Sequence, residues 1–292
     1  MLFGGLEAGG TKMICVVGNE NGEILERATF PTLSPKETMP GMIDFFKGKD
    51  IKALGIACFG PIDLNKESKT YGYITSTPKE LWINFDIVGE FKRSLGIPIG
   101  FDTDVNGSLL GEITWGCAKG KTDALYITIG TGIGGGVMSN GKLLHGMLHP
   151  ELGHIKMAVS KEDSYKGKCP YHGTCFEGLA SGPAIEERWG KKAVDLAEDD
   201  RVWELESYYI AQALSAYIVV LSPQIIILGG GVMHQKQLFP LIRKKTLEQL
   251  GGYINTKELE DIDNYIVPAS LNDDQGIMGA VKLAMDAAKE NQ

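Results

Sequence analysis

Short apolar runs separated by glycine-rich turns open the chain. Residues 2–6 and 13–17 are largely apolar, and a glycine turn at 8–11 lies between them. A second turn at 19–22 precedes a strand-like stretch at 24–30. Because asparagine and glycine favour the tight turns of hairpins, the pattern predicts an antiparallel meander of three strands.

Helical and strand patterns alternate after this meander. Ser34 and Pro35 predict a helix start, since serine caps helices and proline suits their first position. The apolar run Ala53–Phe59 predicts a buried strand, Ile97–Phe101 a second one, and Val105–Trp115 a helix after it. A meander followed by alternating helices and strands predicts an α/β fold, with helices packed on a mixed sheet.

The same pattern restarts near residue 120. Strands are predicted at Ala124–Ile129 and Gly134–Met138, again with a glycine turn between them. Thr11 and Thr131 occupy the two turns and are 131 minus 11, or 120, residues apart. This weak internal repeat predicts two similar halves, whose glycine turns face each other across a cleft.

Composition and charge narrow the function classes. A length of 292 residues suits about two domains. The net charge is 29 minus 37, or -8, which argues against a non-specific nucleic-acid binder. The sequence lacks both an apolar run of about 18 residues and a signal-peptide pattern, so no membrane span or export is expected. Five cysteines, an odd number, predict no disulfide framework and a reducing, cytoplasmic location.

Three glycine turns have the composition of phosphate sites: Glu7–Lys12, Gly130–Gly135 and Gly229–Gly231. Glycine lets backbone N–H groups approach an anion closely, and threonine adds a hydroxyl donor. None has P-loop spacing, and the second turn joins two strands, which excludes the dinucleotide motif. Any one of them is more simply an ordinary turn, whereas the set of three favours a phosphate site.

Asp104 follows the strand predicted at 97–101, where ligand sites of such sheets lie. Phosphoryl transfer needs a base beside the attacking hydroxyl, and an aspartate can accept that proton. The alternative, that Asp104 only caps the helix predicted at 105–115, is equally compatible with the residues.

Four potential metal ligands form the strongest local cluster. His154 precedes Cys169, His172 and Cys175, the last three spaced three residues apart in a turn that contains glycine. Two thiolates and two imidazoles suit tetrahedral zinc, although the spacing departs from zinc-finger patterns. The alternative is that the two cysteines are near each other by chance, as free thiols of a cytosolic protein, and bind no metal.

A polar and aromatic loop is the candidate sugar contact. Residues 70–79 and 82–86 combine hydroxyl side chains, tyrosines and a tryptophan. A sugar site needs hydrogen bonds and an aromatic wall, which this composition supplies. The alternative is a surface loop with a packed tryptophan.

Together these motifs resemble the sugar kinase/actin/heat-shock ATPase superfamily and, within it, the ROK family of repressors, uncharacterised reading frames and sugar kinases. The resemblance spans about residues 2–285. It implies an actin/hexokinase-like, two-lobed α/β fold of duplicated ribonuclease H-like domains. Residues 1–117 with the C-terminal helix at about 276–292 are expected to form the sugar and phosphate lobe. Residues 118–275 are expected to form the lobe with the nucleotide motifs and the zinc loop.

The resemblance also implies residue roles. Asp104 aligns with the catalytic base, while Thr103 replaces the asparagine that usually contacts the sugar. Glu7 replaces the usual aspartate of the first phosphate motif, where magnesium is expected. The implied ATP-binding residues are Gly9, Gly10, Thr11, Lys12, Gly130, Thr131, Gly132, Gly229, Gly230 and Gly231.

Glu151–His154 matches the family's Glu-x-Gly-His motif, whose histidine binds zinc. The implied structural zinc ligands are His154, Cys169, His172 and Cys175, with His145 and His149 as non-ligands. The implied sugar-binding residues are Gly60, Pro61, Thr103, Asp104, Glu151, His154 and Glu177.

The loop at 70–86 and the segment at 59–63 are similar to those of the fructokinase branch. This implies ATP-dependent phosphorylation of fructose at its 6-hydroxyl, with mannose, glucose or an N-acetylhexosamine as alternative substrates. A different class is a non-catalytic sugar sensor, although family repressors add an N-terminal helix-turn-helix and this chain starts at its first strand. A nucleotide-switched protein like actin is disfavoured by the zinc cluster and the sugar loop. The family further implies a homodimer.

Overall fold

The computed structural model describes residues 1–77 and 79–290, which form two compact units. The first unit contains residues 1–120, the short segment 145–149 and the chain from 270 onward. The second contains residues 121–144 and 150–269. Each unit buries its own apolar core.

The first unit is built on a five-stranded sheet and a small two-stranded one. The chain supplies seven strands here: β1 (Leu2–Ala8), β2 (Lys12–Asn19), β3 (Ile24–Pro31), β4 (Ile51–Cys58), β5 (Tyr73–Ile74), β6 (Phe85–Asp86) and β7 (Ile99–Thr103). The large sheet has the order β3-β2-β1-β4-β7, and β5 pairs with β6. The first three strands are antiparallel and the last two are parallel to β1, so the predicted meander is confirmed.

Three helices of this unit are α1 (Pro35–Phe46), α2 (Ile87–Leu95) and α3 (Asp104–Thr114). Ser34 is the N-cap of α1, as predicted. The N-cap of α3 is Thr103, whose side chain accepts a hydrogen bond from the N–H of Asn106. The interpretation of Asp104 as a helix cap is therefore wrong, because the neighbouring threonine hydroxyl already satisfies that N–H.

The second unit repeats the strand arrangement. Its strands are β8 (Ala124–Ile129), β9 (Ile133–Ser139), β10 (Lys142–Leu143), β11 (Ile225–Gly229) and β12 (Ile266–Pro268). The order is β10-β9-β8-β11-β12, with β10, β9 and β8 antiparallel and β8, β11 and β12 parallel. Both sheets thus pass from a three-stranded meander to parallel strands, which confirms the predicted duplication.

Six helices complete the second unit: α4 (Phe176–Ala180), α5 (Gly182–Trp189), α6 (Asp200–Leu221), α7 (Leu238–Leu250), α8 (Lys257–Glu260) and α9 (Ile262–Tyr265). A separate 3-10 turn, Gly231–His234, begins at the last residue of the third glycine turn, and α7 begins after it at Leu238. Within residues 1–77 and 79–290, no helix combines the length and the apolarity needed to cross a membrane.

The last helix, α10 (Gln275–Glu290), returns to the first unit and packs against β4 and α3 through glycines. A Cβ at Gly55 would lie 1.8 Å from the carbonyl oxygen of Ala280, and one at Gly279 would lie 1.6 Å from that of Gly107. Only glycine permits such close backbone approach. This packing fixes the position of α3, whose first residue is Asp104.

Candidate active site

The parallel strands of the first unit end side by side at one edge of the sheet. Ala8 of β1 pairs with Cys58 of β4, and Cys58 pairs with Thr103 of β7. The segments that follow these strands are therefore adjacent in space. They carry the first phosphate motif, the Gly60–Pro61 turn and Asp104. The edge matches the usual location of ligand sites in α/β sheets, at the carboxyl ends of strands.

The turn Gly9–Lys12 joins β1 to β2. The N–H of Gly9 donates to the carbonyl oxygen of Lys12 at 3.0 Å, and the hydroxyl of Thr32 donates to the Gly9 carbonyl at 2.7 Å. Among the described residues, no hydrogen bond uses the N–H of Gly10 or Thr11. Two backbone donors at a glycine turn are suited to bind an anion.

Glu7 is half-buried near the end of β1, and its Oε2 atom is buried. Burial is the main cause that raises its pKa to about 7, and the nearby charge of Asp104 raises it further, while Lys12 opposes both. Its Oε2 atom has no hydrogen-bond partner among the described residues. A Cβ at Gly276 would lie 2.7 Å from the carboxyl group, so α10 encloses it closely. A buried carboxyl oxygen without a hydrogen-bond partner, near the carboxylate of Asp104, is suited to bind a cation that both carboxyl groups contact.

Asp104 is half-buried at the first position of α3. Its Oδ1 accepts a hydrogen bond from the N–H of Val105 at 2.9 Å. Burial is the main cause that raises the pKa of the Cys58 thiol, and the charge of Asp104 adds to it. Thr103 itself is 2% exposed, and its hydroxyl accepts from the N–H of Asn106 at 3.1 Å as the cap of α3.

The Gly60–Pro61 turn is joined to the aromatic loop. The carbonyl oxygen of Pro61 accepts hydrogen bonds from the N–H of Thr75 at 2.8 Å and from its hydroxyl at 3.0 Å. Trp82 is 1% exposed, and its indole N–H donates to the carbonyl of Leu33. The tryptophan therefore packs in the core, as the surface-loop alternative expected, and it holds the loop beside the turn.

A hydrogen-bonded network behind Asp104 was not expected from the sequence. Asp102 is 4% exposed, and its Oδ2 lies 2.9 Å from Nε2 of His145. Its Oδ1 accepts from the side-chain amide of Asn106 at 2.7 Å. His149 accepts from the N–H of Ile62 at 3.4 Å. These bonds hold segment 145–149 on the first unit, whereas the predicted domain boundaries place it in the second. No sequence pattern indicates these pairings.

In the second unit the glycine motifs adjoin each other. The N–H of Gly130 donates to the Gly132 carbonyl at 2.9 Å, and the Gly130 carbonyl accepts from the N–H of Gly182 at 2.8 Å. A Cβ at Gly130 would lie 3.8 Å from the nitrogen of Gly231. Gly230 has φ 89°, which favours glycine, and a Cβ there would lie 2.5 Å from the carbonyl oxygen of Ile129. The second predicted phosphate turn and the glycine turn at Gly229–Gly231 thus adjoin each other.

Three predicted sugar-binding residues of this unit also lie together. Burial raises the pKa of Glu151; nearby His154 lowers it, and the carboxylate of Glu177 raises it. The Oε2 of Glu177 accepts from the N–H of Ile133 at 2.9 Å, directly after the phosphate turn. A Cβ at Gly153 would lie 1.9 Å from the Ile133 carbonyl oxygen, so the motif packs on the start of β9.

The four predicted metal ligands converge in the second unit. One ligand atom from each of His154, Cys169, His172 and Cys175 lies within 4.8 Å of the others. Nδ1 of His154 lies 3.8 Å and 3.6 Å from the two sulfurs, and Nδ1 of His172 lies 3.6 Å from Sγ of Cys169. Zinc bonds of about 2.3 Å to sulfur and 2.0–2.1 Å to nitrogen put such atoms roughly 3.6 Å apart in a tetrahedron. The donor set therefore fits zinc.

The ROK family model matches residues 3–287. The chain belongs to the ROK family. It is 46% identical to the fructokinase of Pediococcus pentosaceus over 99% of each chain. It is 53% identical to a provisionally named fructokinase of Bacillus subtilis (strain 168), over 98% of this chain and 96% of that one.

The fold is also that of the ROK glucokinase from Streptomyces griseus, solved with glucose and AMPPNP. The two chains share 24% identity, with a TM-score of 0.76 over 98% of this chain and 100% of the other. The ROK assignment and the predicted α/β fold are confirmed.

Proposed function

We propose that this protein is a fructokinase, which transfers the γ-phosphoryl group of ATP to the 6-hydroxyl of D-fructose. The observation that carries the proposal is the edge where β1, β4 and β7 end, since it brings a phosphate-type turn and Asp104 together. Fructokinase-named relatives at 46% and 53% identity support fructose as the substrate.

Asp104 acts as the general base. Its carboxylate accepts the proton of the 6-hydroxyl as that oxygen bonds to the γ-phosphorus, and the bond to the β–γ bridging oxygen breaks to release ADP. Thr103 caps the helix and thereby holds Asp104 at its first position. In the first unit, the turn at Gly60 and Pro61 contributes sugar contacts beside Asp104. In the second unit, the proposed sugar contacts are Glu151, His154 and Glu177.

ATP is bound by the glycine motifs. Gly9, Gly10, Thr11 and Lys12 hold phosphate oxygens through N–H, hydroxyl and ammonium donors. Gly130, Thr131 and Gly132 form the second phosphate contact, and the adjoining Gly229, Gly230 and Gly231 approach the adenosine. Glu7 would hold Mg²⁺, for which its unsatisfied oxygen is suited. When bound there, the ion would neutralise part of the phosphate charge.

Zinc is held by the four-ligand cluster in a structural role. A closed tetrahedral set leaves no position for an activated water. Burial raises the pKa of the Cys175 thiol to about 11, and a thiol must lose its proton to bind a metal. Metal binding is therefore expected to release a proton. The cluster orients His154, and through it the adjacent Glu151, toward the sugar.

The test is ADP release with Mg-ATP and fructose, compared with mannose, glucose and N-acetylglucosamine. Asp104→Asn is expected to lower kcat by roughly 10²–10⁴-fold. Asp44→Asn, an exposed carboxylate on α1, is the matched control and should keep full activity.

If the protein prefers another hexose, the proposed kinase chemistry stands and only the proposed substrate changes. A protein that binds fructose and ATP but turns over none of these sugars would be a sensor instead. A homodimer stays a prediction from the family, and a cytoplasmic location stays a prediction from the cysteine count. Light scattering after size exclusion measures the oligomeric state.

A further inference from the structure

The side chain of Lys79 reaches the first phosphate turn from the aromatic loop. Its Cε lies 3.2 Å and its Nζ 4.0 Å from the position that a Cβ would occupy at Gly10. Gly10 and Thr11 of this turn carry the two backbone N–H groups that no hydrogen bond uses among the described residues. The lysine ammonium group therefore lies beside a turn with two unused backbone donors.

The backbone at Lys79 is anchored through the core. Its carbonyl oxygen accepts from the N–H of Trp82 at 2.7 Å. Trp82 is 1% exposed, and its ring packs edge-on against Phe59 and Phe85 at 6.2 Å and 5.3 Å between centroids. Because a buried ring fixes the backbone three residues away, the lysine starts from a defined position beside the turn.

The charge of Lys79 is not used in an ion pair. Among the described residues no carboxylate lies within ion-pair distance of its Nζ, whereas Lys66, which precedes the loop, pairs with Glu290 at 3.4 Å. A lysine ammonium is a compact charge with three donors, suited to phosphate oxygens. In phosphoryl transfer, charge spreads over the three equatorial oxygens of the moving group, where a positioned cation is most effective.

We propose that Lys79 is a further catalytic residue, which contacts the γ-phosphoryl group of ATP and stabilises its charge during transfer. The loop assigned to the sugar would then also deliver a cation to the phosphate. The inference rests on the proposed kinase function.

The test compares Lys79→Met, Lys79→Arg and, as a control, Lys69→Met at an exposed lysine directly before the loop. Lys79→Met is expected to lower kcat by about 10²–10³-fold, with the KM for fructose nearly unchanged. Lys79→Arg, which retains the charge, should recover part of the loss, and Lys69→Met should match the unmodified protein. Calorimetry should show weaker AMPPNP binding by Lys79→Met and unchanged ADP binding, since only AMPPNP carries the γ-phosphoryl group.

Two outcomes would overturn this inference while leaving the kinase intact. One is a Lys79→Met protein with an unchanged kcat and an unchanged ratio of AMPPNP to ADP affinity. The other is a raised KM for fructose at constant kcat, which would make Lys79 a sugar contact. Absence of turnover by the unmodified protein would instead overturn the proposed function itself.

Discussion

The carboxylate of Glu177 accepts a hydrogen bond from the backbone N–H of Ile133, with 2.9 Å between Oε2 and the nitrogen. Glu177 comes two residues after the metal-ligand candidate Cys175, and Ile133 directly follows Gly132 in the second phosphate turn. A Cβ at Gly132 would lie 2.8 Å from the same oxygen. The helix that follows the Cys/His cluster therefore supports the second glycine turn of its unit, the predicted phosphate site, although Glu177 was expected only at the sugar.

Removal of this acceptor should weaken ATP binding. In Glu177→Ala the N–H of Ile133 loses its partner, so hydrogen exchange of that amide should accelerate and the KM for ATP should rise. Glu177→Gln retains a side-chain carbonyl oxygen and should exchange slowly at Ile133. Equal exchange rates in Glu177→Ala and the unmodified protein would show that the bond does not hold the turn.

Zinc removal should have a related effect. Chelation frees the loop that ends at Cys175, so we expect faster amide exchange at Ile133 and weaker AMPPNP binding, measured by calorimetry. Cys175→Ser should lower the zinc content measured by atomic absorption, whereas Cys117→Ser, which lies outside the cluster, should retain it. If amide exchange at Ile133 is unchanged in the metal-free protein, zinc does not stabilise the phosphate turn.

The pair of His145 and Asp102 should make stability depend on pH. The hydrogen bond to Asp102 raises the pKa of His145 above its ordinary value. Protonated His145 therefore stabilises the fold below about pH 6.5, the unfolded pKa, and the contribution is lost as the pH rises through the folded pKa. His145→Gln keeps an N–H donor but does not titrate. Its urea midpoint should vary less than that of the unmodified protein from pH 6 to 9, and equal slopes would contradict the prediction.

Buried Glu206 on α6 should destabilise the second unit at high pH. It is 1% exposed, and both carboxyl oxygens lack hydrogen-bond partners among the described residues. Burial raises its pKa well above the ordinary value. Between the unfolded and folded pKa values the unfolded state ionises first, so stability should fall by about 1.4 kcal/mol per pH unit. Glu206→Gln should abolish this slope in urea titrations, while Glu204→Gln, an exposed neighbour, should keep it.

The glycine contact between α10 and α3 should be essential for stability. In Gly279→Ala the new Cβ would lie 1.6 Å from the backbone oxygen of Gly107, which no side-chain rotation can relieve. We expect a loss of about 3 kcal/mol or more, measured by urea unfolding. Gly146→Ala, where the nearest atom lies at an ordinary 3.8 Å, is the control. If Gly279→Ala and the control lose the same free energy of unfolding, α10 and α3 can move apart without destabilising the fold.

Local patterns predicted much of the fold. The meander, the restart near residue 120 and the start of α1 at Pro35 follow from apolar periodicity and turn residues, and the structure confirms them. The predicted boundary between β7 and α3 was less accurate, since the strand extends to Thr103 rather than ending at Phe101. A threonine fits both a strand end and a helix cap, so composition does not separate the two.

By itself, the sequence determined the types of groups at the candidate site: three glycine turns, Asp104 and a set of four metal ligands. Their spacing is short within each motif, and local geometry limits what they can form. The tertiary structure alone decided which side chains from distant segments meet them, namely Lys79 at Gly10, His145 at Asp102 and Glu177 at Ile133. These contacts depend on strand order and on loop paths, which are set by packing of the whole unit. They produce no periodic pattern in the sequence.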